Sequence, residues 1–93
     1  MGIFDKLKDV NEMRKQAKAM EALLAQEQIT GQSAGGKIKI TIDGNQTVLS
    51  VEVDPAVAGD KGEVARNIRA ALEDLFKRHK KVLQSKFGNI LSQ

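Results

Sequence analysis

The densest group of charged side chains in this 93-residue chain is Lys77-Arg78-His79-Lys80-Lys81. Four cations within five residues suit contact with a polyanion. Catalysis would need other groups. His79 is the sole imidazole. It falls on the apolar side of a helical pattern, so it reads as a packed or hydrogen-bonded core residue rather than a general base. The chain has no Cys, which removes thiolate nucleophiles, disulfides and thiolate zinc sites. Ser33, Ser50, Ser85 and Ser92 have no His close in sequence, and one imidazole in so small a fold argues against a triad. The stretch Gly31 to Lys37 superficially resembles a phosphate loop. Ile38 follows Lys37 where that loop requires Ser or Thr, so it reads as a glycine-rich hairpin turn. Asp54 and Asp60 are scattered carboxylates with capping roles to explain them. The expectation is no catalytic residue, no metal, no cofactor and no small-molecule substrate.

Charge is distributed unevenly. The net charge is +3, yet residues 61–93 carry eight basic groups against three acidic ones. Such asymmetry points to a polyanionic partner. At 100° per residue, Arg66, Lys77 and Lys81 lie opposite the apolar face of the last helical segment. Arg69 and Lys80 sit on one flank and Arg78 on the other. The cations repel one another, and their place near a helix C-terminus offsets part of that cost. In the first helical segment Lys15 and Lys18 face away from the apolar seam, with Arg14 beside it. Lys and Arg on helices suit phosphate contacts, which carry affinity without sequence information. Readers of single strands and RNA add aromatic stacking platforms. With no Trp or Tyr, and with Phe76 expected in the core, those modes lose weight. No helix-turn-helix, zinc-finger or basic-zipper pattern is present.

The elements that position these groups follow from periodicity. Residues 5–27 lack Gly and Pro and are rich in helix formers. Val10, Met13, Ala17, Met20 and Leu24 form a heptad seam that must meet another helix, in the same chain or in a twin. Ile29 to Ser33 is a short strand candidate, and Ala34-Gly35-Gly36 is a turn. Lys37 to Asp43 alternates polar and apolar, as a half-buried antiparallel strand does. Gly44-Asn45 suggests a two-residue hairpin with Gly at positive φ. Gln46 to Val53 returns as a third strand with Leu49, Val51 and Val53 on one face. Asp54-Pro55 ends the sheet and caps a helical turn. Asp60 and Glu63 resemble a capping box. The last helix spans about Lys61 to Lys86, with Ile68, Leu72, Leu75, Phe76, His79 and Leu83 on its apolar face. Gly88 is its expected stop.

Four segments occur in one order: Met13-Arg14-Lys15-Gln16-Ala17 with Met20, Ile29 to Gly36, Ile40-Thr41-Ile42-Asp43-Gly44, and Val51-Glu52-Val53-Asp54-Pro55. Together they resemble the YbaB/EbfC family of nucleoid-associated proteins. The resemblance implies a homodimer formed through the sheets, with long helices projecting like tweezers. It implies binding of duplex DNA with little sequence preference at the bacterial nucleoid. The family's helices are implicated in DNA contact. Here that points to Arg14, Lys15 and Lys18 on the first helix and to Arg66, Arg69, Lys77, Lys80 and Lys81 on the last.

The resulting expectation is one α+β domain over residues 1–93. Its order is α-β-β-β-α, with a three-stranded antiparallel sheet and two long helices. A core with only three Phe and no disulfide is marginal alone, which also favours a dimer. No secretory signal or membrane-spanning run is apparent, so the chain reads as a soluble, cytoplasmic, nucleoid-located, non-enzymatic DNA binder. The competing reading is a protein-interaction module, motivated by the methionine-bearing seam and by the apolar pair Ile90-Leu91.

Overall fold

A computed structural model describes the backbone of residues 3–91 and the side chains of residues 9–88. Helix α1 (Ile3–Ala25) leads into strands β1 (Ile29–Gln32), β2 (Ile38–Ile42) and β3 (Val48–Val53). A one-turn helix α2 (Pro55–Ala58) and the long helix α3 (Lys61–Leu91) follow. The strands form one antiparallel sheet in the order β1-β2-β3. The α-β-β-β-α order and the three-stranded sheet are therefore as the periodicity implies.

The core lies between α3 and one sheet face. Ile29, Ile38, Ile40 and Ile42 pack against Ala71 and Leu75, with Val64, Leu72 and Val82 at the margin. Alternation in β2 puts Ile38, Ile40 and Ile42 inward and Lys39 outward. Helix α3 can sit close because Gly31 has no side chain. A Cβ there would run into the Cα and Cβ of Leu75 and the carbonyl of Ala71.

Helix α3 lies across β1 and β2 and leaves β3 bare. Its apolar arc is therefore split. Leu75 is 1% exposed, whereas Phe76 is 55% exposed and Ile68 is also open to solvent. Phe76 is thus not a core residue, contrary to expectation. The axis of burial runs through Val64, Ala71, Leu75 and Val82, turned away from Phe76 by the helical step.

The turns differ from expectation in detail. Positive φ falls at Gln46 rather than at Gly44. The buried carboxylate of Asp43 organises the loop by accepting from the N–H groups of Asn45 (2.8 Å) and Thr47 (3.0 Å). Strand β3 starts only at Val48. A register irregularity at Thr41/Ile42 pairs Val48 with Ile42, so Val48, Val51 and Val53 share the isoleucine face and Leu49 is the extra residue. Gly44 is needed for close approach: a Cβ would stand 2.6 Å from the carbonyl oxygen of Leu24. Gly35 and Gly36 take positive φ in the 3₁₀ turn after β1.

Caps behave as their chemistry dictates. Asp54 Oδ1 accepts from Ala56 N (2.9 Å), and Pro55 opens α2. Asp60 Oδ1 accepts from Gly62 N and Glu63 N. The reciprocal half of a capping box is missing, because Glu63 turns to Arg66. Gly88 does not stop α3, which continues to Leu91; the side chains of Ile90 and Leu91 lie outside the described ones.

Helix α1 is the least embedded element. Met13 is 66% exposed and Val10 is open, so the outer part of the heptad seam is bare within the protomer, while Met20 and Leu24 nearer the root are half-buried. Its root is tied down. Leu24 O accepts from Gly44 N (2.8 Å), Glu21 O accepts from Asn45 Nδ2 (3.0 Å), and Lys86 pairs with Glu27 just beyond the helix (2.9 Å). His79 Nε2 donates to Gly44 O (2.9 Å), which joins α3 to the same loop. That is the hydrogen-bonded, half-buried role expected of this imidazole.

Substituting Gly44→Ala should push α1 off the loop and cost roughly 1–3 kcal/mol of stability, as overpacking does. Urea unfolding of the two proteins side by side checks this. A midpoint unchanged by the substitution would contradict the tight approach.

Candidate nucleic-acid interface

The residues expected to contact phosphate fall into three sets. Arg14, Lys15 and Lys18 are exposed along the projecting part of α1. Arg66 and Arg69 are exposed on the first half of α3, but each is already engaged. Arg66 pairs with Glu63 at 2.9 Å and Arg69 with Glu73 at 3.3 Å. The Arg66 hydrogen bond holds the Glu63 carboxyl below its usual range, and Arg66 is raised in turn. Lys77, Lys80 and Lys81 are exposed farther along α3. Among the described residues none of these three makes an ion pair.

Spacing makes the third set a patch. Lys80 and Lys81 stand three and four residues after Lys77, so the three ammonium groups share one surface of the helix. Such cations keep their full charge for a polyanion. An arginine that must first leave a carboxylate contributes less, although exposed pairs of this kind are individually weak. Only the helix carries the α3 groups, so their mutual placement is rigid. The α1 groups stand on a different element, joined to the rest at its root.

Arg78 lies beside the patch and is not among the expected contacts. Its Nε donates to Asp74 Oδ2 (3.0 Å). The same oxygen accepts the backbone N–H of Gln32 on the outer side of β1 (3.0 Å). Asp74 thus caps one N–H on the edge of the sheet and steadies a cation at once. The sequence signal for this is the i,i+4 spacing of Asp74 and Arg78. The link to β1 has no local signal.

The two sheet edges consequently differ. The β1 edge is capped at one point, the Gln32 N–H, by Asp74. The β3 edge is open, and it carries no Pro and no Lys to blunt it. Val51 is 56% exposed, and Val48, Leu49 and Val53 are exposed with it. Val51 and Val53 lie opposite Ile40 and Ile38, on the face that α3 covers farther along. Exposed Ile68 and Phe76 of α3 belong to this same side of the molecule. An apolar strip of this kind on a bare strand is an uncompleted sheet and core.

Among the described residues no group of three or more His, Cys, Asp or Glu could hold a metal ion. None of their helices is long and apolar enough to cross a membrane.

The sequence profile of the YbaB/EbfC DNA-binding family matches residues 1–93. A protein of Polynucleobacter necessarius subsp. necessarius (strain STIR1), described as "Nucleoid-associated protein", is 33% identical over 76 residues. That match covers 82% of this chain and 71% of the relative. The crystal structure of uncharacterized protein HP0035 from Helicobacter pylori superposes with a TM-score of 0.76 at 20% identity. The superposition covers 98% of each chain and shows a shared fold.

The Asp74 carboxyl lies below its ordinary value, first because it accepts the Gln32 N–H and next because Arg78 donates to it. A carboxyl lowered in the folded state stabilises the fold above its unfolded pKa, and that stabilisation is lost as pH falls through the lower folded value. Wild type should therefore exceed Asp74→Asn in stability at neutral pH, and the gap should close on acidification. Urea midpoints across a pH series measure this. A gap that stays constant into acid would show that the charge on Asp74 contributes nothing.

Proposed function

The chain belongs to the YbaB/EbfC DNA-binding family, and from that premise we propose that it binds duplex DNA as a homodimer, with little sequence preference, at the bacterial nucleoid in the cytoplasm. The observation that carries the reading is the patch of Lys77, Lys80 and Lys81, three exposed cations on one rigid helix with no ion pair among the described residues. Lys15, Lys18 and Arg14 on α1 extend the positive surface. Arg66 and Arg69 join it by exchanging a carboxylate for a phosphate. Ammonium groups on flexible stems contact phosphates as point charges and leave bases unread. Phe76 is exposed, yet it sits with Ile68 beside the bare strand, where it serves contact between copies rather than stacking on bases. The chain acts as one domain, and its role is to hold DNA rather than to transform it.

The dimer rests on β3. Two copies related by a two-fold axis pair β3 with β3 antiparallel and turn two three-stranded sheets into one of six strands. The pairing satisfies the open N–H and C=O groups along the edge. It also brings Val51, Val53, Ile68 and Phe76 of each copy toward their equivalents, so the exposed strip becomes shared core. Burying a side chain of this size contributes roughly 1.5–3 kcal/mol.

Gel-shift titration of a short duplex over a range of salt tests the DNA reading. The logarithm of the affinity should fall linearly with that of salt, and Lys77→Gln with Lys80→Gln should flatten the slope by roughly 0.9 for each phosphate no longer neutralised. Affinity should weaken alike on unrelated sequences. Absence of any shift at low salt would refute DNA binding. For the dimer, Val51→Lys should convert the light-scattering mass at micromolar concentration from two chains to one. A Val51→Lys protein that remains dimeric would exclude the β3 edge as the interface.

A further inference from the structure

A second basic feature borders the lysine patch and shares Lys81 with it. Between the outer side of β1 and the flank of α3 is an open cleft of about 330 Å³, lined by Gln28, Ile29, Thr30, Arg78, Lys81 and Val82. Its composition is specific in chemical terms. Arg78 and Lys81 supply two positive charges, three residues apart on α3 and so side by side. Gln28 and Thr30 are exposed polar side chains from the strand side. Half-buried Val82 supplies the apolar side, with buried Ile29 beneath.

Asp74 is the carboxylate beside the cleft, and its Oδ2 already serves Gln32 N and Arg78 Nε. That bond uses the inner nitrogen of the guanidinium. The two terminal nitrogens are left to face a second anion, with the planar group held in orientation. Lys81 has no ion pair among the described residues. The charge complement of the cleft is therefore an anion. The apolar side narrows the choice: a free anion is solvated on all sides, whereas a backbone phosphate arrives with sugar carbons attached. Low polarity on that side also strengthens the attraction to the two cations.

We propose that this cleft seats a phosphodiester of the DNA backbone, with Arg78 and Lys81 on the phosphate oxygens and Val82 against the adjoining sugar. The assignment rests on the DNA-binding reading and adds Arg78 to the contacts. It also places a contact on the rim of the sheet, remote from the β3 edge. Bound DNA therefore reaches past the helix face to each outer border of the dimer.

Titration of the isotope-labelled full chain with a short duplex at low salt, read by NMR, tests the site. Amide signals of Gln28 and Thr30 and the methyl signals of Val82 should shift with saturation. Lys81→Gln should abolish those shifts and weaken binding severalfold. Because Lys81 makes no ion pair among the described residues, this variant keeps the remaining spectrum as a fold control. Arg78→Lys, which keeps the charge but loses the bidentate fork, should reduce affinity less than Arg78→Gln. A parallel titration with inorganic phosphate should move the same signals only weakly. Duplex binding with those signals unmoved, and with Arg78→Gln at wild-type affinity, would overturn the cleft and leave the DNA reading intact, because Lys77 and Lys80 still carry the helix face. Equal response to phosphate and to duplex would overturn the assignment to the backbone. If the duplex does not bind at all, the functional reading fails first and the cleft falls with it.

Discussion

The close approach of α3 to β1 at Gly31 governs the rest of the molecule. With no Cβ at that position, the helix backbone at Ala71 and Leu75 can lie directly on the strand. This draws α3 toward the β1 side of the sheet, over Ile29, Ile38, Ile40 and Ile42. A single helix cannot cover three strands when it is pulled to one side. The result is a tightly packed half and a bare half. The first supplies a stable platform for the cations of α3. The second leaves Val51 and Val53 facing solvent on a surface that would otherwise be core. Asymmetry of packing thus separates where the protein holds itself together from where apolar surface is left uncovered.

The same asymmetry decides which sheet edge is free. Because α3 crosses β1, Asp74 can reach the outer N–H of Gln32 and cap that edge at one point with one carboxylate oxygen. Among the described residues no equivalent group reaches β3. The acidic residues of α3 also sort its cations. Glu63, Glu73 and Asp74 occupy Arg66, Arg69 and Arg78, in that order along the helix. Lys77, Lys80 and Lys81 form no ion pair among the described residues. The helix therefore passes from compensated to uncompensated charge, which concentrates the positive field toward the C-terminal half of α3.

Element order and type are legible in the residues, because periodicity is local. The alternation in Lys37 to Asp43 and the long Gly- and Pro-free run before Gln28 each specify one backbone geometry. Caps at Asp54 and Asp60 are equally accessible, since a cap involves neighbours in sequence. Phe76 cannot be placed in this way. Its apolar arc is visible, but the part of the arc that meets the sheet depends on Gly31, a residue from the other half of the chain. The turn after β2 departs from its expected form for a similar reason: Gly44 is there for Leu24, not for its own φ. Basic residues stand out by type and spacing, whereas their availability depends on the carboxylate each one meets. The role of Arg78 emerges only in the fold, because its cleft is made by residues from two distant segments.

Helix α1 has a mechanical consequence. Hydrogen bonds from its backbone to the rest of the fold come from Glu21 and Leu24, near its last turn. Its 23 residues span roughly 34 Å at 1.5 Å each. Among the described residues its ties to the fold lie at this one end, which makes it a lever pivoting on the loop around Gly44. A tilt of about 10° at the root carries the far end through about 6 Å, close to one helical turn. Small adjustments at the loop are thereby magnified at the tip, and the reach of the arm can be set without disturbing the sheet.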